Sequence, residues 1–175
     1  MNFLKTFLVT LAIYIGLNAL FVLLAVFLVA GYPATDIFYI IAGFFSPIAV
    51  IPGVAWTDNG IVGFMTATPL EIVSVLIIFL GLIIPPLVAI IVGARLGDNS
   101  QTGFGAWFTT ALVASGVYAI LFGIGSIYSA NLGVAWFNLV AAFGEAGTIV
   151  SVFIAGVVNG FFYGCISLLL ANKWI

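Results

Sequence analysis

The chain of 175 residues contains three Lys or Arg, five Asp or Glu and no His, and 65% of its residues are hydrophobic. A soluble domain has about 25% charged residues, so we expect residues 1–175 to form one helical domain in the bilayer. The absence of His and the single Cys exclude histidine-based metal and haem sites, iron–sulfur clusters and Ser-His-Asp catalysis, and the lack of a basic patch excludes nucleic acid as a partner.

Four predominantly apolar segments are long enough to cross a membrane as helices, which takes about 20 residues each. They cover residues 3–30, 69–93, 106–128 and 147–171. The first is about twice as long as the apolar core of a signal peptide, so we interpret it as a retained span. The sequence therefore predicts an all-α integral membrane protein with four transmembrane helices.

A fifth apolar segment, residues 37–54, is interrupted by Pro47 and Pro52, which disfavour a continuous helix. It could form a fifth crossing, or a broken, re-entrant or interface-lying segment between the first two spans. Positive residues gather in cytoplasmic loops. Only the arrangement with four crossings places all three cations on one side: Lys5, Arg95 and Lys173. We therefore favour four crossings in the cell membrane, with both termini cytoplasmic.

The second span contains two adjacent prolines, Pro85 and Pro86, well inside its apolar run. Each proline removes a backbone donor, so the pair predicts a kink or a break in this helix. Together with Pro47 and Pro52, these residues are our candidates for helix breaks. Interrupted helices often mark binding sites in transporters.

A candidate internal repeat relates the two halves of the chain. The sequence Gly-Val-Ala-Trp occurs at residues 53–56 and 133–136, and each copy is followed by Ile-Val-Ser-Val, at residues 72–75 and 149–152. This spacing is compatible with a parallel repeat of two helical hairpins. The first and third spans do not align convincingly, which counts against a duplication.

The last span contains a strip of glycines spaced four residues apart, Gly156, Gly160 and Gly164. Such a strip forms a flat helix face that lets another backbone approach closely. Two interpretations remain open, packing within one chain and a helix dimer face.

Two asparagines, Asn18 and Asn159, lie near the middle of the first and last spans. An amide in hydrocarbon needs a hydrogen-bond partner, so we expect each one to bind a neighbouring helix, at similar depth and within reach of the other. A role in lining a polar pathway is the alternative.

Two functions fit these features. The first is a non-catalytic subunit or scaffold of a membrane complex or homo-oligomer, whose partners are the lipid bilayer, other copies of the chain or other membrane subunits. The alternative is a small channel, a carrier or a membrane-embedded ligand-binding subunit of a transporter. The sequence supplies no base, nucleophile and oxyanion site, so we expect neither enzyme activity nor a cofactor. The lack of a charge at mid-span argues against a pump.

Overall fold

The computed structural model describes residues 2–46 and 50–171, and every regular element in these residues is helical. A π-helical stretch, Thr57–Val62, connects α3 and α4. The α-helices are α1 Phe3–Leu28, α2 Ile37–Gly43, α3 Pro52–Trp56, α4 Gly63–Thr66, α5 Ile72–Leu96, α6 Ser100–Tyr128 and α7 Ala130–Ala171.

Four of these helices, α1, α5, α6 and α7, are long and apolar enough to cross a membrane. The predicted all-helical class and the number of long apolar helices are therefore confirmed. The third one begins earlier than expected because Asn99 caps it, its side-chain oxygen accepting a hydrogen bond from the Thr102 amide at 2.8 Å. Short polar side chains at this position satisfy one of the free amides of a first helical turn.

The helix α7 is divided by Gly144, whose backbone has φ 72° and ψ 169°. Only glycine adopts this conformation readily. A side-chain carbon placed on Gly144 would meet no atom within 4 Å. Glycine is therefore needed here because of the backbone conformation, and not because a side chain would clash with its surroundings. Residues 130–143 and 145–171 are thus two helices joined at a sharp change of direction.

The helix α5 continues through Pro85 and Pro86 without ending there, so of the expected kink or break only the kink remains a prediction. Ending the helix there would leave further backbone groups unpaired in an apolar environment, where each costs several kcal/mol. Losing two hydrogen bonds within a continuous helix is the smaller penalty. Pro52 occupies the first position of α3, where a proline is well tolerated, and Pro47 lies outside the described residues.

One core cluster lies where α1, α5, α6 and α7 meet around the fully buried ring of Trp107. Tyr14 of α1 and Tyr163 of α7 contact this ring edge-on, with centroid distances of 5.6 and 5.8 Å. The indole Nε1 donates a hydrogen bond to the backbone oxygen of Asn159 at 3.2 Å. This arrangement fixes the three helices relative to one another at the level of Asn159.

Candidate functional site

The two mid-helix asparagines bind opposite ends of the connection between α2 and α3. Asn18 on α1 is 1% exposed, and its Nδ2 donates a hydrogen bond to the Phe44 backbone oxygen at 2.8 Å. Asn159 on α7 is 3% exposed, and its Nδ2 donates to the backbone oxygens of Val50 at 2.8 Å and Ala155 at 2.9 Å. Both amides therefore join a long helix to the short-helix segment rather than to another long helix.

These bonds give two backbone carbonyls outside the helices a hydrogen-bond donor. The last carbonyls of a helix lack intrahelical donors, and α2 ends at Gly43 next to Phe44. Buried carbonyls without a partner are costly. The amide of Asn18 supplies a donor just beyond the end of α2, and that of Asn159 supplies one just before α3.

A cavity of about 290 Å³ lies beside Asn18, between α1, α2, α5 and α6. Three tyrosines line it, Tyr32 in the loop after α1, Tyr39 on α2 and Tyr118 on α6. Asn18 and Ser46 are further polar residues in the lining. Most of the remaining surface is aliphatic or Phe, so the cavity combines apolar walls with a few polar groups, as binding sites for small molecules usually do.

The side-chain oxygen of Asn18 is buried beside this cavity without a donor. No hydrogen-bond partner for Asn18 Oδ1 exists among residues 2–46 and 50–171. The Nδ2 donates to the Phe44 carbonyl, which can only accept, so the orientation of the amide is fixed. Leaving such an acceptor unpaired costs about 1–3 kcal/mol.

The prolines of α5 remove two helical hydrogen bonds from the helix that forms one wall of the cavity. Pro85 and Pro86 have no N–H, so the carbonyls of Gly81 and Leu82, four residues earlier, cannot accept the regular helical hydrogen bond. Gly81 and Leu82 both line the cavity. At Gly81 a side-chain carbon would lie only 3.2 Å from the Phe21 side chain of α1, so this glycine lets α1 and α5 approach closely beside the cavity.

The cavity is electrically neutral in the described part of the chain, where none of its lining residues is charged. Burial, with a smaller effect of the neighbouring Tyr39, raises the pKa of the Tyr32 hydroxyl to about 12. Tyr32 therefore remains protonated at neutral pH and can both donate and accept a hydrogen bond. The rings of Tyr32 and Tyr39 meet edge-on at 5.6 Å.

One end of the cavity is held by Asp36, which caps α2. Its Oδ1 accepts from the Tyr39 amide at 3.0 Å, and its Oδ2 accepts from Ser129 Oγ at 2.6 Å and Asn131 Nδ2 at 2.9 Å. Ser129 Oγ in turn accepts from the Leu132 amide at 3.0 Å, at the start of α7. Since Tyr39 and Leu132 both line the cavity, this network fixes two of its walls.

Hydrogen bonding also determines the acidity of Asp36. Partial burial alone would raise the pKa of this carboxyl, but the bonds from Ser129, Asn131 and the Tyr39 amide outweigh burial and lower it. Residues such as Asp36 and Ser129 are recognisable in the sequence as polar residues preceding apolar helices. Their pairing across 93 residues has no local signal in the sequence.

The glycine strip of the last span faces α6 of the same chain. A side-chain carbon at Gly160 would lie 2.7 Å from the Phe108 ring, and one at Gly164 would lie 2.7 Å from the Phe104 ring. Gly156 is equally close to Ser115 of α6. The strip therefore packs against α6 of the same chain, and its interpretation as a dimer face remains a prediction.

Neither the protein-family models, nor the curated proteins, nor the solved structures include a match to this chain. Among the described residues, no group of three or more His, Cys, Asp or Glu side chains could hold a metal ion. The cavity beside Asn18, with its apolar walls and few polar groups, is a candidate binding site for a small molecule.

Proposed function

We propose that this chain is a membrane-embedded binding protein that takes a small molecule into the cavity between α1, α2, α5 and α6, as a non-catalytic subunit of a transporter or of another membrane complex. The observation that supports it is the cavity of about 290 Å³, whose apolar walls carry a few polar groups such as the three tyrosines. Of the two functions derived from the sequence, this favours the ligand-binding one.

The membrane arrangement that goes with this proposal has four crossings and cytoplasmic termini. The short helices α2, α3 and α4 between α1 and α5 enter the bilayer from the outer side and return to that side as a re-entrant segment. Asn18 lies near the middle of α1 and binds Phe44 at the end of α2, which supports a turn at mid-membrane. Backbone that is not helical is tolerated at this depth only where protein or a cavity surrounds it.

The scaffold hypothesis relied on three features of the sequence, namely the few polar residues, the glycine strip and the lack of a soluble domain. Because α6 packs against the strip, one of these three supports is weaker. Association with another membrane subunit would use a different surface. We therefore keep a partner subunit in the proposal and leave homo-oligomer formation out of it.

Native mass spectrometry of the protein, purified gently from its own membrane, tests this function. We expect a discrete small molecule bound at one copy per chain. Replacing Ala25, a small residue of the cavity wall, by Leu should fill part of the space and release the molecule. The matched control is Ala141→Leu at an exposed position of α7, which should retain it. A protein that carries no small molecule, or only a fixed partner chain, would contradict the proposal.

A further inference from the structure

We infer that the cavity takes up the hydrocarbon chain of a lipid from the outer leaflet, and that the chain enters sideways next to Ile78. This inference rests on the proposed binding function and its membrane arrangement, and it names the chemical class of the ligand. Four observations support it, namely the elongated shape of the cavity, its depth, its uncharged walls and an exposed residue in one wall.

The helices α1 and α5 form a long antiparallel pair along one side of the cavity. A side-chain carbon placed on Gly81 of α5 would lie 3.2 Å from Phe21 of α1, and one placed on Gly93 would lie 2.8 Å from Thr10. Residue numbers therefore rise along α1 where they fall along α5. Stretches of the two helices that face each other in this way lie at the same depth.

The cavity extends along this pair of helices over about two turns. Its lining residues lie between positions 18 and 25 of α1 and between positions 77 and 82 of α5, two stretches that lie at the same depth. Seven residues of an α-helix rise about 10 Å. A volume of about 290 Å³ over this length leaves a cross-section of about 30 Å², which is enough for one extended hydrocarbon chain.

The depth of the cavity matches the lipid chains of one leaflet. The helix α1 runs from Phe3 to Leu28, so Asn18 lies just beyond its midpoint and Ala25 lies about one turn before its end. In the proposed arrangement this end is on the outer side. The hydrocarbon core of a bilayer is about 30 Å thick, so the cavity lies within its outer half, where lipid chains surround the protein.

The walls of the cavity suit a hydrocarbon chain. Within residues 2–46 and 50–171, no Lys, Arg, Asp or Glu lines the cavity, and an ion buried there would lose its hydration without gaining an opposite charge. An unfilled space deprives its walls of dispersion contacts, and apolar cavities hold water poorly. Lipid chains are the most abundant apolar groups at this depth, so a chain is favoured over a scarcer solute.

Ile78 marks an opening in the wall that α5 forms. Its side chain lines the cavity and is 43% exposed. Around the helix, one neighbouring face of α5 packs through Gly81 against Phe21 of α1, and the other packs through Phe79 against Trp56 of α3. The exposure of Ile78 between these two packed faces places a gap between α1 and α3. A chain can pass through this gap from the bilayer without crossing water.

A monoacylglycerol with a photoreactive diazirine in the middle of its chain is a suitable probe, because it is uncharged and has a single chain. The protein is irradiated in phosphatidylcholine nanodiscs that contain this lipid, and labelled residues are identified by peptide mass spectrometry. Ile154 of α7, which is 54% exposed, reports labelling by the surrounding bilayer. We expect labelling of the buried lining residues Val22, Ala25 and Ile77 to saturate and to be displaced by unlabelled monoacylglycerol, while labelling of Ile154 rises in proportion to the probe.

Two tryptophan substitutions form a matched pair for this test. Ile78→Trp places a larger side chain in the opening and should abolish labelling of the buried lining residues without changing that of Ile154. Ile149→Trp introduces the same side chain at a position of α7 that is also 43% exposed and does not line the cavity, so it should keep the wild-type labelling. Both positions are exposed, so both variants should fold, and the saturation test in the wild type needs no variant.

The outcomes separate this inference from the proposed function. If Val22 and Ile77 stay unlabelled while a molecule without an alkyl chain co-purifies and is released by Ala25→Leu, the ligand class is wrong and the binding function stands. If Ile78→Trp is labelled like Ile149→Trp, the sideways entry is wrong. If no buried lining residue is labelled and no molecule co-purifies, both proposals are wrong.

Discussion

Replacing Gly156 by Ala tests whether the glycine strip is an intramolecular contact. The added methyl group would overlap Ser115 Oγ and lie 2.6 Å from Ser115 Cβ and 3.3 Å from the Ala111 backbone oxygen. Overpacking of this kind costs about 1–3 kcal/mol, whereas alanine gains about 0.5–1 kcal/mol over glycine within a helix. We therefore expect a net loss of about 0.5–2 kcal/mol in the free energy of unfolding, with no change in oligomeric state.

The assay is reversible unfolding in mild detergent, with size-exclusion chromatography and light scattering on the same samples. Gly16→Ala is the matched control, because a methyl group at this exposed position of α1 meets no atom within 4 Å. It should stabilise the protein by about 0.5–1 kcal/mol. Adding Ser115→Gly to Gly156→Ala removes the clashing side chain and should recover part of the loss, as expected for residues in contact. If Gly156→Ala instead behaved like the Gly16 control, or dissociated an oligomer, the intramolecular packing argument would be refuted.

Three further substitutions test single features of the fold, each by the same unfolding assay. Asn159→Leu leaves the Val50 carbonyl without its donor and should cost about 1–3 kcal/mol; an unchanged stability would show that this bond does not hold the α2–α3 connection. Gly144→Ala forces a side chain into the conformation at φ 72° and should cost about 1–3 kcal/mol, whereas no loss would mean that the joint in α7 can straighten. Hydrogen bonds lower the pKa of Asp36 in the fold below its ordinary value of 3.8, so the unfolded chain binds the proton more readily than the folded one. The stabilisation from these bonds is therefore complete above the ordinary pKa. Stability should therefore fall as the pH drops through the lowered pKa, and Asp36→Asn should flatten that part of the profile; an identical acid profile in the variant would contradict this assignment.

The sequence predicted the long helices because a bilayer helix has a simple signature, an apolar run of sufficient length. It also indicated that residues 37–54 would not form one helix, and α2 and α3 lie there as separate short helices. The proline pair predicted a kink or a break, and α5 does not end at either residue, because opening a helix in an apolar environment carries a further penalty. The candidate repeat of two hairpins and the orientation in the membrane remain predictions.

The cavity could not be predicted, because its walls come from distant parts of the chain. Asn18 and Tyr118 are both visible in the sequence, but only the packing of α1 against α6 brings them to the same space. The sequence did single out Asn18 as an amide that needs a partner. The sequence could not show that the two ends of this amide differ, with the nitrogen bound to the Phe44 carbonyl and the oxygen buried without a donor in the described residues.

That difference between the two ends of the amide shows what Asn18 contributes to the fold. Its nitrogen donates to the Phe44 carbonyl, and its oxygen remains buried without a donor in the described residues. A leucine of similar volume at this position would avoid the unpaired oxygen, but it would leave the Phe44 carbonyl unsatisfied. The protein therefore bears a cost of about 1–3 kcal/mol at one acceptor and gains a fixed end of α2, which forms one wall of the cavity.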